Sequence, residues 1–96
     1  MSVDFASITN HQERAVEAAV LSIAERFPGV AEHPELLADV ACVALNRLPP
    51  RYIRHEADFA FYLSDRERLD GDRQVVDAVE FAFGFIQARA AMRARA

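Results

Sequence analysis

The stretch RQVVDAVEFAFGFIQARAAMR, residues 73–93, decides how this 96-residue chain folds. It holds no proline, and a wheel drawn at about 100° per residue predicts one long helix. Val76, Val79, Phe83, Ile86 and Ala90 gather on one side, and Ala78, Phe81, Phe85, Ala88 and Met92 gather almost opposite. Arg73, Asp77, Glu80, Gly84 and Gln87 share the remaining polar sector. A helix with so narrow a polar stripe is covered on two sides. One side lies on the chain's own core. For the other, two readings compete: Phe81, Phe85 and Met92 meet their own copies across a two-fold axis, or they cover short strands within one chain. Burying an aromatic side chain is worth roughly 1.5–3 kcal/mol. Two rings from each chain make a self-complementary face, so a homodimer is the expectation.

Working outward, Ser64 with Glu67 three residues later is a capping box that opens this helix, with a pause expected at Asp70-Gly71-Asp72. Before it, Phe59, Phe61 and Leu63 alternate with Ala60, Tyr62 and Ser64, a period of two that favours a short strand; a helix with Phe59, Tyr62 and Leu63 on one face is the alternative. Pro49-Pro50 stops whatever precedes it, and Arg51 to Arg54 is expected to be extended. Upstream, Asn10 with Glu13 opens a helix that runs to about Arg26, Thr9 with Gln12 being the shifted alternative. Val16, Val20, Ile23 and Phe27 form its apolar stripe. After Pro28-Gly29, Pro34 suits the first turn of a helix continuing to Leu45 or Asn46. That helix is apolar nearly all round, with Asp39 its one interior charge, and reads as the centre of the core. The expected fold is a mainly α, single small domain over residues 1–96, with three to four helices and one or two short β segments.

Composition narrows the function. Hydrophobic residues make up 52% of the chain while mean hydropathy stays near zero, and excess apolar surface on a small domain goes into a partner. Net charge is −4, which repels a nucleic-acid backbone and argues against direct DNA binding. No apolar run reaches the roughly 20 residues of a membrane span and no secretory layout opens the chain, so a cytoplasmic protein is expected. The single Cys42, between Ala41 and Val43, reads as a buried, inert thiol. His11, His33 and His55 are far apart and lack ligands at zinc spacing, and no phosphate loop, nucleophile elbow or triad order occurs. No metal, no cofactor and no enzyme activity are expected.

The segment with chemistry in it is Asn46 to His55, where Arg47, Arg51, Arg54, His55 and Tyr52 flank a stiff Pro-Pro joint. Guanidinium groups pair with phosphate in bidentate fashion and stack on purines, and Tyr stacks as well. The plainer reading is that the prolines end a helix, Tyr52 and Ile53 pack inward, and the arginines pair with Asp39, Glu56 or Asp58.

Residues 37–53, LADVACVALNRLPPRYI, resemble the signature of the late competence development protein ComFB family, in which an Asp-Val helix leads into Ala-Leu-Asn-x-Leu-Pro-Pro-x-Tyr-Val. Asp39-Val40, Ala44 to Asn46, Leu48 to Pro50 and Tyr52 carry the likeness, with Ile53 in place of Val. One helix before and one long helix after also fit. The resemblance implies a small, mainly helical, dimeric cytosolic protein without enzyme activity, tied in some bacteria to competence for DNA uptake and in others to sensing cyclic dinucleotides, chiefly cyclic di-GMP. Members often carry a zinc-holding cysteine cluster before the Asp-Val helix; here residues 27–35 read FPGVAEHPE, without a cysteine. Combined with the chemistry of the segment, the expectation is a dimer that binds a cyclic dinucleotide through Arg47, Arg51, Tyr52 and Arg54. The rival is a helical adaptor that docks onto a larger signalling or DNA-uptake protein and needs no small ligand.

Overall fold

The computed structural model describes residues 1–95, the side chain of Asp58 excepted. In chain order the elements are β1 (Thr9–Asn10), α1 (His11–Ile23), α2 (Pro28–Ala31), α3 (Pro34–Asn46), β2 (Tyr52–Ile53), α4 (Glu56–Tyr62) and α5 (Asp65–Arg95), with single 3-10 turns at Phe5–Ser7 and Ala24–Arg26. The mainly α domain with a small β segment is therefore what the sequence predicts. Three long helices, α1, α3 and α5, make the body, and α2 and α4 are short additions.

Each long helix starts where its cap says it should. The Asn10 side chain accepts a hydrogen bond from the Gln12 backbone N–H at 3.1 Å, so Asn10, not Thr9, caps α1. Pro34 occupies the first turn of α3. The Ser64–Glu67 box closes in both directions: the Glu67 N–H donates to Ser64 Oγ at 3.1 Å, and the Ser64 N–H donates to Glu67 Oε1 at 3.4 Å.

The core lies where α1, α3 and α5 meet. Val16 and Val20 of α1, Val40 and Ala44 of α3, and Val79, Ala82, Phe83 and Ile86 of α5 are all buried, with Phe27 stacked on Phe83 at 4.8 Å between ring centroids. Asp39 of α3 and Arg89 of α5 close the packing with a 2.7 Å ion pair.

Four expectations need correction. Residues 59–64 are not a strand: Phe59 to Tyr62 belong to α4. The spacing that decides is i to i+4, because Phe59 and Leu63 are half-buried while Phe61, which the alternation would place beside them, is 88% exposed. Second, α5 does not pause at Gly71 but runs unbroken for 31 residues, about 46 Å at the helical rise. One glycine costs a helix interior only about 1 kcal/mol, which packing at residues 75–86 offsets. Third, the inward face of α5 is Val75, Ala78, Val79, Ala82, Phe83 and Ile86. Val76, assigned to the core side, is 40% exposed, and Ala78, assigned to the opposite side, is buried. The apolar arc is continuous there, and the neighbouring helices centre on Ala82 and Val79 instead of on Phe83. Fourth, Cys42 is exposed. It stands two residues from Val40 and two from Ala44, which turns it to the far side of α3 from both.

The corrected face has a direct check. Val79→Ala is expected to lower the unfolding free energy by about 1.5–3 kcal/mol, and Val76→Ala to change it by less than about 0.5 kcal/mol, as read by urea denaturation.

Candidate ligand site beside the proline-proline strand

The chain after Pro49-Pro50 is strapped to the start of α1. β2 pairs antiparallel with β1, Thr9 opposite Ile53 and Asn10 opposite Tyr52. The His11 N–H donates to the Arg51 carbonyl at 2.7 Å. Asn10 Oδ1, already capping α1, also accepts from the Arg51 N–H at 2.9 Å. The buried Gln12 donates from Nε2 to the Pro49 carbonyl at 3.1 Å. Polar groups lost to solvent are thereby satisfied in pairs, and residues 49–53 are held in one conformation.

That strap sets where the side chains go. Arg51 turns toward α4 and the start of α5, with its guanidinium 5.4 Å from the centre of the Phe59 ring. It lines a cleft of about 180 Å³ with His11, Phe59, Leu63, Glu67, Arg68, Gly71 and Asp72 among the walls. Tyr52 points outward, 68% exposed, and with Arg54, His55, Phe59, Tyr62 and Leu63 it lines a second cleft of about 270 Å³. Phe59 and Leu63 belong to both clefts and form the partition between them. Arg54 donates from Nε to Ser7 Oγ at 3.1 Å. Among the described residues, the polar side chains lining the second cleft are Tyr52, Arg54, His55 and Tyr62, all of them donors or cations.

Three of the four residues read from the sequence thus meet around Phe59. Arg47 does not join them. Its guanidinium lies 3.7 Å over the ring of Phe81, on the face formed by α3 and α5, where it shares a separate hollow with Gln74 and Asp77. Of the partners the plainer reading gives these arginines, Asp39 pairs with Arg89 and Glu56 with Arg14, and the side chain of Asp58 lies outside the described residues. Among the described residues, none of Arg47, Arg51 and Arg54 forms an ion pair.

His11, Phe59 and Tyr62 complete the site and were not among the sequence-derived residues. His11 and Phe59 lie 4.2 Å apart with their planes tilted by 34°, and His11 Nδ1 is buried with no hydrogen-bond partner among the described atoms. The aromatic density of residues 59–62 was the available signal, hidden because a strand would have pointed Phe59 and Tyr62 to opposite sides.

The late competence development protein ComFB family matches residues 9–90. The chain belongs to the ComFB family. The match takes in β1 through most of α5, so every residue lining both clefts lies inside the ComFB region, as do Phe81 and Phe85, while Met92 falls just beyond it. No curated protein and no solved structure matches the chain. As a ComFB-family protein it is a small, mainly helical, competence-related domain, and among its described residues no helix is long and apolar enough to cross a membrane.

The strap makes a measurable prediction. Asn10→Ala is expected to cost about 1–2 kcal/mol, because one truncation removes the α1 cap and the acceptor for a second backbone amide. Hydrogen exchange at the Arg51 amide should accelerate in parallel, whereas Asn10→Asp, which keeps both acceptors, should leave both readings near those of the parent.

Proposed function

We propose that this ComFB-family protein is a cytoplasmic regulatory receptor that binds a cyclic dinucleotide, cyclic di-GMP, as a homodimer, and that it has no enzyme activity of its own. The observation that carries the reading is the pair of adjacent clefts divided by Phe59, which bring Arg51, Arg54 and Tyr52 to one corner of the domain. A cyclic dinucleotide offers two phosphates and two flat bases. Guanidinium groups suit the phosphates, and Tyr52, Tyr62 and Phe59 are surfaces on which bases stack. The clefts together reach the size of a pocket for a drug-sized ligand, roughly 300 Å³ or more. Arg54 serves a phosphate in this reading, Arg51 meets the ligand from the adjoining cleft, and Arg47 serves the α3–α5 face.

The dimer half of the proposal rests on α5. Phe81 and Phe85 are 45% and 48% exposed and stack at 6.2 Å. Met92 lies exposed on the same side of the helix, and the exposed Ala38 and Cys42 of α3 leave that helix uncovered as well. Apolar groups of this size in one contiguous stripe mark an interface, and the same stripe on a second copy is complementary to it. The adaptor reading draws on a different feature, the exposed Phe61 at the tip of α4, and predicts a complex that forms without any nucleotide.

Two measurements separate these. Titration calorimetry with cyclic di-GMP should give saturable binding at micromolar concentration or tighter. Joint alanine substitution of Arg51 and Arg54 should weaken it by about a hundredfold, the worth of two charge-assisted hydrogen bonds; unchanged affinity would place the ligand elsewhere. Light scattering should give about twice the 10.7 kDa chain mass, falling to one chain mass in a Phe81→Ala, Phe85→Ala double variant whose helix content is unchanged.

A further inference from the structure

The cleft on the Arg51 side has a chemistry of its own. Along α5 the inward stripe is apolar from Ile86 back to Val75, and then becomes Asp72, Gly71 and Arg68. A bulky apolar residue at position 71 would carry the core onward. Glycine leaves the space open instead: a Cβ built there meets no atom within 4 Å, and Gly71 lines the 180 Å³ cleft. The facing wall is the tilted pair of His11 and Phe59.

Of the charged groups on this cleft, two are already engaged: Glu67 closes the cap on Ser64, and Arg68 pairs with Asp65 at 2.7 Å. The carboxylate of Asp72 and the guanidinium of Arg51 form no hydrogen bond or ion pair with each other or with any other described side chain. The cleft therefore offers one acceptor pair, one forked donor and an aromatic wall. At about 180 Å³ it is smaller than the roughly 300–1,000 Å³ of pockets that take a whole drug-sized ligand, and it suits a single flat ring system. Guanine uses all of these groups at once. Its N1–H and N2–H donate to a carboxylate, while its O6 and N7 accept from a guanidinium in bidentate fashion. Adenine turns a lone pair at N1 toward the same carboxylate and keeps only N7 for the guanidinium.

We infer that the cleft between His11, Phe59 and Gly71 is a guanine-reading subsite, in which Asp72 binds the Watson–Crick edge and Arg51 binds the O6/N7 edge. The inference rests on the cyclic-dinucleotide reading of the neighbouring cleft and deepens it, since it names the base and the residue that selects it. The buried Nδ1 of His11, without a partner among the described residues, is a polar group in the wall of the kind a ligand satisfies.

Calorimetry on the full chain with cyclic di-GMP and cyclic di-AMP tests it. Asp72→Asn should lose about tenfold or more in affinity for cyclic di-GMP and narrow the gap between the two ligands. Gly71→Ala should raise the thermal midpoint, because alanine favours a helix interior, and yet weaken cyclic di-GMP binding by encroaching on the cleft. Gly84→Ala, with equally open surroundings but outside both clefts, should raise the midpoint and leave affinity unchanged. If the parent protein binds cyclic di-GMP while Asp72→Asn and Gly71→Ala keep its affinity and preference, the subsite assignment is overturned and the receptor reading stands. If the parent protein binds no cyclic di-GMP, both fall together.

Discussion

Asn10 sits where three pieces of the chain meet, and its one side-chain oxygen accepts from the backbone amides of both Gln12 and Arg51. The first bond starts α1; the second fixes the strand that follows Pro49-Pro50. Residues 51–54 inherit their position from this contact, because β2 is only two residues long and a ladder that short does not hold itself in place. Gln12 adds its bond to Pro49 from within the core. The helical body thus dictates where Arg51, Tyr52 and Arg54 point, and the stiffness of the Pro-Pro joint limits the entropy such a segment loses on meeting a ligand.

The body itself is organised by division of labour on α5. Val75, Ala78, Val79, Ala82, Phe83 and Ile86 face α1 and α3, and small alanines alternate with larger residues so that the helices approach closely. Phe81 and Phe85 lie outside that arc, and Arg47 covers only one of the two rings. Cation–π contact at an exposed site is worth about 0.5–1 kcal/mol, less than burial of the ring would give. The α3–α5 face is therefore apolar surface without full cover. The ligand corner lies at the other end of the strap, beside α4 and the first turns of α5.

Much of this was legible in the sequence because local chemistry and tertiary structure agree. Asn10, Pro34 and Ser64–Glu67 mark helix starts by mechanisms that need no tertiary contact, and the Pro-Pro pair fixes an end. What was not legible depends on which neighbour arrives. β1 is two residues that double as a helix cap, so nothing in Thr9–Asn10 announces a strand. Residues 59–63 satisfy both a two-residue and a four-residue period, and the choice falls to the helix because Phe59 finds His11. Cys42 sits in an apolar run yet faces outward, since the run wraps all round α3 while only one side of α3 meets α5. At the site, Arg51, Tyr52 and Arg54 were visible as a motif, but the partition between the clefts was not, because it is made by the helix that the alternation disguised.

The central claim, that the corner held by Asn10 is a ligand site, is tested most directly by hydrogen–deuterium exchange with and without cyclic di-GMP. A ligand seated there slows exchange only in residues 51–63 and in the first two turns of α5, with the centre of α3 unchanged. Ligand-dependent protection along α3 and residues 81–92 instead, with residues 51–63 unaffected, would contradict it.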